Sequence, residues 1–167
     1  MQLRSIDKAL YQQRFKYIAG GLALSLAILG LGFSTLLIAS FGGAGSNTLL
    51  NALGVALALG VLLLALQKLR LKPYFDEVGY VWNLKHELNL ITRKMRQIKA
   101  AAQEGSEPAM TALAFSYAGS RQLWSLDDNT LVMDDLNLWE QELKDLQERY
   151  GFSVVAGDYD RAILTEF

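Results

Sequence analysis

The sequence contains no cysteine and only one histidine, His86. Without cysteine there is no disulfide framework, thiolate nucleophile, zinc–thiolate centre or cysteine-ligated iron–sulfur cluster. One histidine cannot supply a metal-binding triad, so His86 is interpreted as a surface residue. A Gly-x-Ser-x-Gly motif, a Ser/His/Asp arrangement and a glycine-rich phosphate loop are also missing. We therefore expect no enzyme activity, no small-molecule substrate, no cofactor and no metal, and no catalytic or cofactor-binding residue is assigned.

Charged side chains are missing from one long internal stretch. No Asp, Glu, Lys, Arg or His occurs in residues 17–67, and glycine, serine and asparagine interrupt this stretch at 42–47. The apolar runs on either side, 18–41 and 49–67, would extend about 36 Å and about 28 Å as helices, against about 30 Å of bilayer hydrocarbon. The stretch predicts two membrane-spanning helices joined by a tight turn.

The basic N-terminal segment, residues 1–16, has two interpretations. It is either an amphipathic segment in the membrane interface or, as we favour, the polar start of the first span. A cleaved signal peptide is disfavoured, because the apolar run 18–41 exceeds the about 7 to 15 residues usual for such a signal. No small-x-small cleavage site precedes polar sequence either.

Basic residues flank the outer ends of both spans, while the turn between the spans has no charge. Because Lys and Arg accumulate on the cytoplasmic side of a membrane, both termini are expected there, with the flanking cations on anionic lipid. Residues 1–75 carry seven basic side chains and one acidic one, a net charge of +6; residues 76–167 carry nine and sixteen, a net charge of −7. The acidic distal part lacks the basic face that binding to nucleic acid requires.

Small residues repeat at helical spacing in both spans, which allows close approach of two backbones. We expect them to form either the contact face of the hairpin or an oligomer face. No ionisable residue lies within the spans, so a transporter or pump acting alone is not expected. The small residues are Ala23, Ala27, Gly30 and Ser34 in the first span and Ala52, Ala56 and Gly60 in the second.

A heptad pattern follows Pro73 and ends before Gly105. It predicts a helix whose apolar seam is buried within its own domain, as we favour, or a coiled coil between two copies. The polar residues between the seam positions, Glu87 among them, are assigned to the solvated face. The seam consists of Val81, Leu84, Leu88, Ile91, Met95, Ile98 and Ala102.

Two further helices are predicted. Ser106 is a plausible N-cap for the first, and Asp134 or Asp135 for the second, which Gly151 ends. The second helix has its own apolar seam, and residues 152–167 fit either a strand or a short helix. That seam contains Leu136, Trp139, Leu143, Leu146 and Tyr150.

These patterns predict an all-α protein, a two-helix transmembrane hairpin followed by a small cytoplasmic helical bundle. The expected domains are a basic segment at 1–16, a hairpin at 17–72 with spans at 18–41 and 49–67, and a cytoplasmic helical domain at 73–167.

The run Arg121-Gln122-Leu123-Trp124-Ser125-Leu126-Asp127-Asp128-Asn129-Thr130-Leu131 follows two spans and a heptad helix. In this setting it resembles a family of small two-span bacterial membrane proteins known only as a domain of unknown function. The resemblance covers most of the chain and implies an inner-membrane location. It implies no catalytic or binding residue.

Four aspartates and one asparagine lie within nine residues at 127–135. A divalent cation site is one interpretation, but an EF-hand loop is excluded because glycine and glutamate are missing from its required positions. Turn formation and helix capping are favoured instead. The side chains are Asp127, Asp128, Asn129, Asp134 and Asp135.

Three functions fit these observations. The favoured one is a membrane-anchored interaction or scaffold protein, whose helical domain engages another protein or itself. The alternatives are an accessory subunit of a larger membrane complex and a metal-dependent sensor or enzyme that uses the acidic 127–135 segment.

Overall fold

The computed structural model describes residues 1–43, 45–129 and 131–167. Ala44 of the predicted turn and Thr130 of the Arg121–Leu131 run lie outside the described residues. The fold is all helical, with no strand among the described residues, which confirms the predicted class. The helices are α1 (Lys8–Phe41), α2 (Thr48–Leu69), α3 (Asp76–Gln103), α4 (Glu107–Leu126) and α5 (Met133–Tyr150), with 3-10 turns at Pro73–Phe75, Ala156–Asp158 and Arg161–Glu166.

The chain divides into two compact units. Met1–Lys8 and Tyr80–Phe167 form the first, here called the helical unit, and Ala9–Gly79 form the second, here called the hairpin unit. The domain bounds expected from charge and hydropathy remain a prediction.

In the hairpin unit, α1 and α2 are long and apolar enough to cross a membrane, judged by length and composition. Only 11% of the most apolar window of each helix is buried. A core helix of a soluble protein would bury most of such a window. Because α1 begins at Lys8, residues 8–16 form the polar start of the first helix, as the favoured interpretation predicted, whereas residues 1–7 precede the helix and belong to the other unit.

The two long helices approach each other closely at Gly54 of α2. A Cβ atom at Gly54 would lie 2.4 Å from Ser34 Oγ and 2.5 Å from the Ser34 backbone nitrogen, so only glycine fits there. Ser34 Oγ also donates a hydrogen bond to the Asn51 carbonyl oxygen at 3.2 Å. The buried small residues of this face are Gly30 and Ser34 on α1 and Gly54 and Ala58 on α2.

As the contact face of the hairpin, the predicted small-residue stripe is therefore half right on α1 and wrong on α2, while its use as an oligomer face remains a prediction. Ala23 and Ala27 are exposed, and so is the whole predicted stripe on α2, Ala52, Ala56 and Gly60. A step of two residues rotates a side chain about 200° around a helix, so the predicted stripe points away from the true one. Both faces of α2 carry small residues four apart, and spacing alone cannot choose between them.

The core of the helical unit lies between α3, α4 and α5. Six seam residues of α3 are buried and Met95 is half-buried, all within one chain, as the intramolecular interpretation predicted. Gly119 of α4 permits close packing on this seam, because a Cβ atom there would lie 3.1 Å from both Leu84 Cδ1 and Leu88 Cδ2. Phe115 of α4 is the largest fully buried side chain.

Helix ends in this unit follow the sequence in part. Ser106 caps α4 by accepting a hydrogen bond from the Ala109 backbone nitrogen at 3.3 Å, and Gly151 ends α5 with a left-handed φ of 73°. The predicted caps Asp134 and Asp135 are wrong: the N-cap position of α5 holds Val132, and both aspartates lie in the first turn. There they still interact favourably with the positive end of the helix dipole.

Candidate functional site

The described part of the chain buries one charged side chain, Glu87 of α3, which is 2% exposed. Its assignment to the solvated face was wrong. Position 87 lies three residues after Leu84 and four before Ile91, so it shares the inward face of the helix. That spacing was the one sequence signal for Glu87, and a carboxylate placed there requires partners.

Two residues of the C-terminal segment satisfy this carboxylate. Tyr159 Oη donates to Glu87 Oε1 at 3.0 Å, and Arg161 Nε donates to both carboxylate oxygens at 3.1 and 3.2 Å. Arg161 Nη2 makes a further short ion pair with Oε2. The two charges differ in exposure, because the Arg161 side chain is 60% exposed whereas that of Glu87 is buried.

These contacts shift the acid–base behaviour of both buried groups. The hydrogen bond from Arg161 holds the pKa of Glu87 below its ordinary value, and the Tyr159 bond adds to this, while burial opposes it. Burial and the neighbouring carboxylate raise the pKa of Tyr159. At neutral pH the cluster is a carboxylate bound by a guanidinium and a neutral phenol. The pairing stabilises the contact of α3 with Tyr159 and Arg161, and it makes the cluster a poor site for proton transfer.

Residues 154–166, here called the C-terminal strap, are bound to α3 and α4 around this cluster. The Tyr159 ring stacks on Phe115 with centroids 4.3 Å apart and planes 20° apart. Lys94 Nζ donates to the Leu164 carbonyl oxygen at 2.7 Å, and the Leu164 side chain is buried. The strap consists of two short 3-10 turns joined by irregular backbone, so it carries no periodic pattern that the sequence could have revealed.

A second strap comes from the other end of the chain. Residues 1–7, here called the N-terminal strap, are bound at Arg4, whose backbone nitrogen donates to Tyr80 Oη at 3.1 Å and whose carbonyl oxygen accepts from Gln122 Nε2 at 2.6 Å. Tyr80 Oη in turn donates to Gln122 Oε1 at 2.8 Å, which closes the ring of contacts. The Arg4 guanidinium lies 4.8 Å from the Tyr80 ring centroid.

The Arg121–Leu131 run contains many of the polar contacts that join these pieces. Besides Gln122, it contributes Arg121, which donates to Glu140 Oε1 at 3.0 Å and Oε2 at 2.6 Å and to Asn137 Oδ1 at 2.7 Å. The bond to Glu140 raises the pKa of Arg121. The run therefore links α4 to α5 and to the N-terminal strap.

Two aspartates of the acidic 127–135 segment, Asp127 and Asp128, are paired with lysines of the protein. Lys85 Nζ lies 3.0 Å from Asp127 Oδ2, and Lys8 forms a short ion pair with Asp128. Asp128 has a left-handed φ of 55°, a conformation that Asp tolerates in turns. Among the described residues no group of three or more His, Asp or Glu side chains is placed to hold a metal. His86 is exposed.

A shallow pocket between α3, α4 and α5 brings together Lys99, Tyr117 and Trp139. Lys99 Nζ lies 5.2 Å from the Trp139 ring centroid, and the Tyr117 ring centroid lies 6.1 Å from that of Trp139. Burial, with a smaller effect of Glu142, raises the pKa of Tyr117 to about 12. The phenol therefore stays protonated at neutral pH and offers a hydrogen-bond donor, not a base.

Comparison with known proteins identifies the family of this chain. No curated protein and no solved structure matches the chain. The model of the family described as "Protein of unknown function (DUF3087)" matches residues 1–164, which include the N-terminal strap, both long apolar helices, the Arg121–Leu131 run and all but the last two residues of the C-terminal strap. The expected resemblance to an uncharacterised family is confirmed, and the chain belongs to this family of proteins of unknown function.

Proposed function

We propose that the protein is a membrane-anchored interaction or scaffold protein of the bacterial inner membrane, with a transmembrane hairpin unit and a cytoplasmic helical unit. The observation that carries the proposal is the exposure of the apolar side chains of α1 and α2. Leu24, Leu31 and Leu63 are 64%, 69% and 61% exposed, and many other large apolar side chains are exposed along both helices. Water disfavours a surface of this size, whereas lipid tails solvate it.

The N-terminal strap supports termini on the same side of the membrane. Met1–Lys8 and Tyr80–Phe167 fold as one unit, joined by the contacts of Arg4 with Tyr80 and Gln122. The two candidate spans lie between these segments in the chain, and an even number of crossings returns a chain to its starting side. The basic flanks favour the cytoplasm as that side.

The side chains of the helical unit support binding to another protein better than they support catalysis. Its buried carboxylate is already held by Arg161 and Tyr159, and Tyr117 in the pocket beside Trp139 stays protonated. Large apolar side chains nevertheless remain exposed on separate elements: Trp82 is 71% exposed and Leu138 64%. Exposed aromatic and aliphatic side chains are common anchors in protein–protein contacts.

Topology gives the first test. A reporter fused ahead of Met1 and one fused after Phe167 should both report the cytoplasm, because two crossings separate them. A fusion truncated after Asn47, in the connection between the spans, should report the periplasm and serves as the control. A periplasmic signal from the full-length C-terminal fusion would rule out the two-crossing arrangement.

Site-specific photocrosslinking in native membranes gives the second test. We expect protein adducts when the photoreactive residue replaces exposed Trp82 or Leu138. We expect none at Ile98, which is fully buried in the same unit and is the matched control. Adducts at Ile98 equal to those at Trp82 would indicate unfolding, and a lack of adducts at both exposed positions would contradict the scaffold function.

The second candidate function is an accessory subunit of a larger membrane complex. The exposed stripe Ala52, Ala56 and Gly60 favours it, because this face of α2 is not used by α1. Small residues four apart allow a further transmembrane helix to pack closely. Photocrosslinking from position 56 without adducts from positions 82 and 138 would favour this candidate over the scaffold.

A further inference from the structure

Four exposed cations belong to one end of the hairpin unit. Lys16 lies on α1, Lys68 in the last turn of α2, and Arg70 and Lys72 directly after α2. A fifth cation, Arg14, is engaged differently: it forms an ion pair with Glu77, and its Nη1 donates to the Pro73 carbonyl oxygen at 3.1 Å. Arg14 thus ties the start of α1 to the segment after α2.

The register of the two helices brings the four cations to the same level. Gly30 faces Val55, and Ser34 is hydrogen-bonded to Asn51. The two helices are therefore antiparallel, and a residue four positions later in α1 lies level with a residue four positions earlier in α2. Fourteen residues back from Gly30 is Lys16, and fourteen residues forward from Val55 is Leu69. This register places Arg14 level with Leu71, and the long Arg14 side chain reaches the Pro73 carbonyl oxygen two residues further on. Lys16 is therefore level with the segment from Lys68 to Lys72.

Charge is strongly asymmetric along this unit. It contains five cations and two acids, Asp76 and Glu77, and Glu77 is paired with Arg14. The connection at 42–47 carries no charged residue. Only one end of the hairpin unit therefore attracts anions.

Apolar and aromatic side chains are exposed beside the cations. Leu71, between Arg70 and Lys72, is 86% exposed, and Tyr17, next to Lys16, is 65% exposed. Tyrosine is favoured at the level of lipid headgroups, and an exposed leucine is favoured where acyl chains begin. A ligand for this place must carry a negative charge together with an apolar chain.

We propose that Lys16, Lys68, Arg70 and Lys72 form a binding site for the phosphate group of an anionic phospholipid. The inference rests on the proposed function, since it requires α1 and α2 to lie in a bilayer. A free phosphate ion would satisfy the cations but would leave Leu71 and the adjoining apolar faces of α1 and α2 in water. Basic clusters next to spans select anionic lipids at about 1 kcal/mol for each Lys or Arg, or about fivefold in affinity.

The test uses the full-length protein in lipid nanodiscs and compares spin-labelled phosphatidylglycerol with spin-labelled phosphatidylcholine by electron paramagnetic resonance. We expect phosphatidylglycerol to associate about tenfold or more tightly, with the preference falling as salt is raised. The triple variant K68Q/R70Q/K72Q should lose most of this preference. The charge-matched variant R93Q/K144Q/R149Q removes three exposed cations of the helical unit and should keep it.

Equal losses in the two triple variants would mean that net charge, and not this site, attracts the lipid, and would overturn the proposal. Displacement of the spin-labelled lipid by inorganic phosphate would also overturn it, in favour of a free phosphate site. Extraction with alkaline carbonate tests membrane integration separately from the preference for anionic lipid. Release of the wild-type protein from membranes would refute both the proposed function and the lipid site, whereas retention without any lipid preference would refute the lipid site alone.

Discussion

Replacing Tyr159 with alanine is expected to lower the free energy of unfolding of the helical unit by about 3–5 kcal/mol. The substitution removes a ring that is 3% exposed and stacked on Phe115, and it also removes a hydrogen bond to the buried Glu87 carboxylate. Urea unfolding followed by tryptophan fluorescence measures this loss. Trp82, Trp124 and Trp139 all belong to the helical unit, so the signal reports that unit alone.

Two matched variants separate the contributions of the Tyr159 side chain. Tyr159→Phe keeps the ring and removes only the hydroxyl, so it should cost about 1.5–3 kcal/mol, the usual value of a hydrogen bond to a charged group. Val155→Ala alters a nearby side chain that is 57% exposed and should change stability by less than about 0.5 kcal/mol. If Tyr159→Ala unfolded at the same urea concentration as Val155→Ala, the C-terminal strap would not be bound in solution.

The pH dependence of urea unfolding tests how much the paired Glu87 carboxylate contributes to stability. The pKa of Glu87 is held below its ordinary value of 4.5 in the folded protein, first by Arg161 and then by Tyr159. A depressed folded pKa contributes stability that is fully present above the unfolded pKa and is lost as pH falls through the folded pKa. The stability advantage of the wild type over Glu87→Gln should therefore be constant above about pH 5 and shrink below pH 4.5.

Replacing Gly54 with leucine is expected to separate α1 from α2. Even a Cβ atom at this position would lie within 2.7 Å of three Ser34 atoms, two of them backbone atoms that cannot rotate away. Overpacking costs about 1–3 kcal/mol where side chains can yield, and more is expected against a rigid backbone. The Ser34–Asn51 hydrogen bond would be lost as well.

Disulfide formation measures this separation cleanly, because the natural chain has no cysteine. A Cβ atom at Gly30 would lie 3.7 Å from Val55 Cγ2, so the pair G30C/V55C should oxidise readily in membranes. Adding Gly54→Leu should slow crosslinking about tenfold or more. Adding Gly60→Leu, where a Cβ atom meets nothing within 4 Å, should leave the rate unchanged. Equal rates in the two variants would show that the face at Gly54 is not the contact between the helices.

The sequence predicts the helices of this protein better than the contacts between them. The absence of charge reveals α1 and α2, and the heptad seam reveals α3, because each depends on neighbours within a few residues. The contact face of the hairpin is different, since small residues four apart occur on opposite sides of α2. Only the long-range approach of Ser34 to Gly54 distinguishes those sides.

Glu87 illustrates the same limit at the candidate site. Its position on the seam is visible in the sequence, but a carboxylate next to Leu88 is also typical of a solvated helix edge. Its partners Tyr159 and Arg161 lie 72 and 74 residues further along the chain. No local sequence pattern predicts a pairing over that distance. In the acidic 127–135 segment, where the sequence suggested a cation site, Asp127 and Asp128 are instead paired with Lys85 and Lys8.

The N-terminal strap also sets an order of events during synthesis. Arg4 leaves the ribosome 118 residues before Gln122, its hydrogen-bond partner, so the N-terminal strap cannot bind until most of the chain has been synthesised. Closing so long a loop is entropically unfavourable unless the intervening chain is already compact. An α1–α2 hairpin assembled early, with Arg14 tied to Pro73, would bring the strap and the start of α3 together in advance. Maturation of the helical unit would then depend on prior assembly of the hairpin.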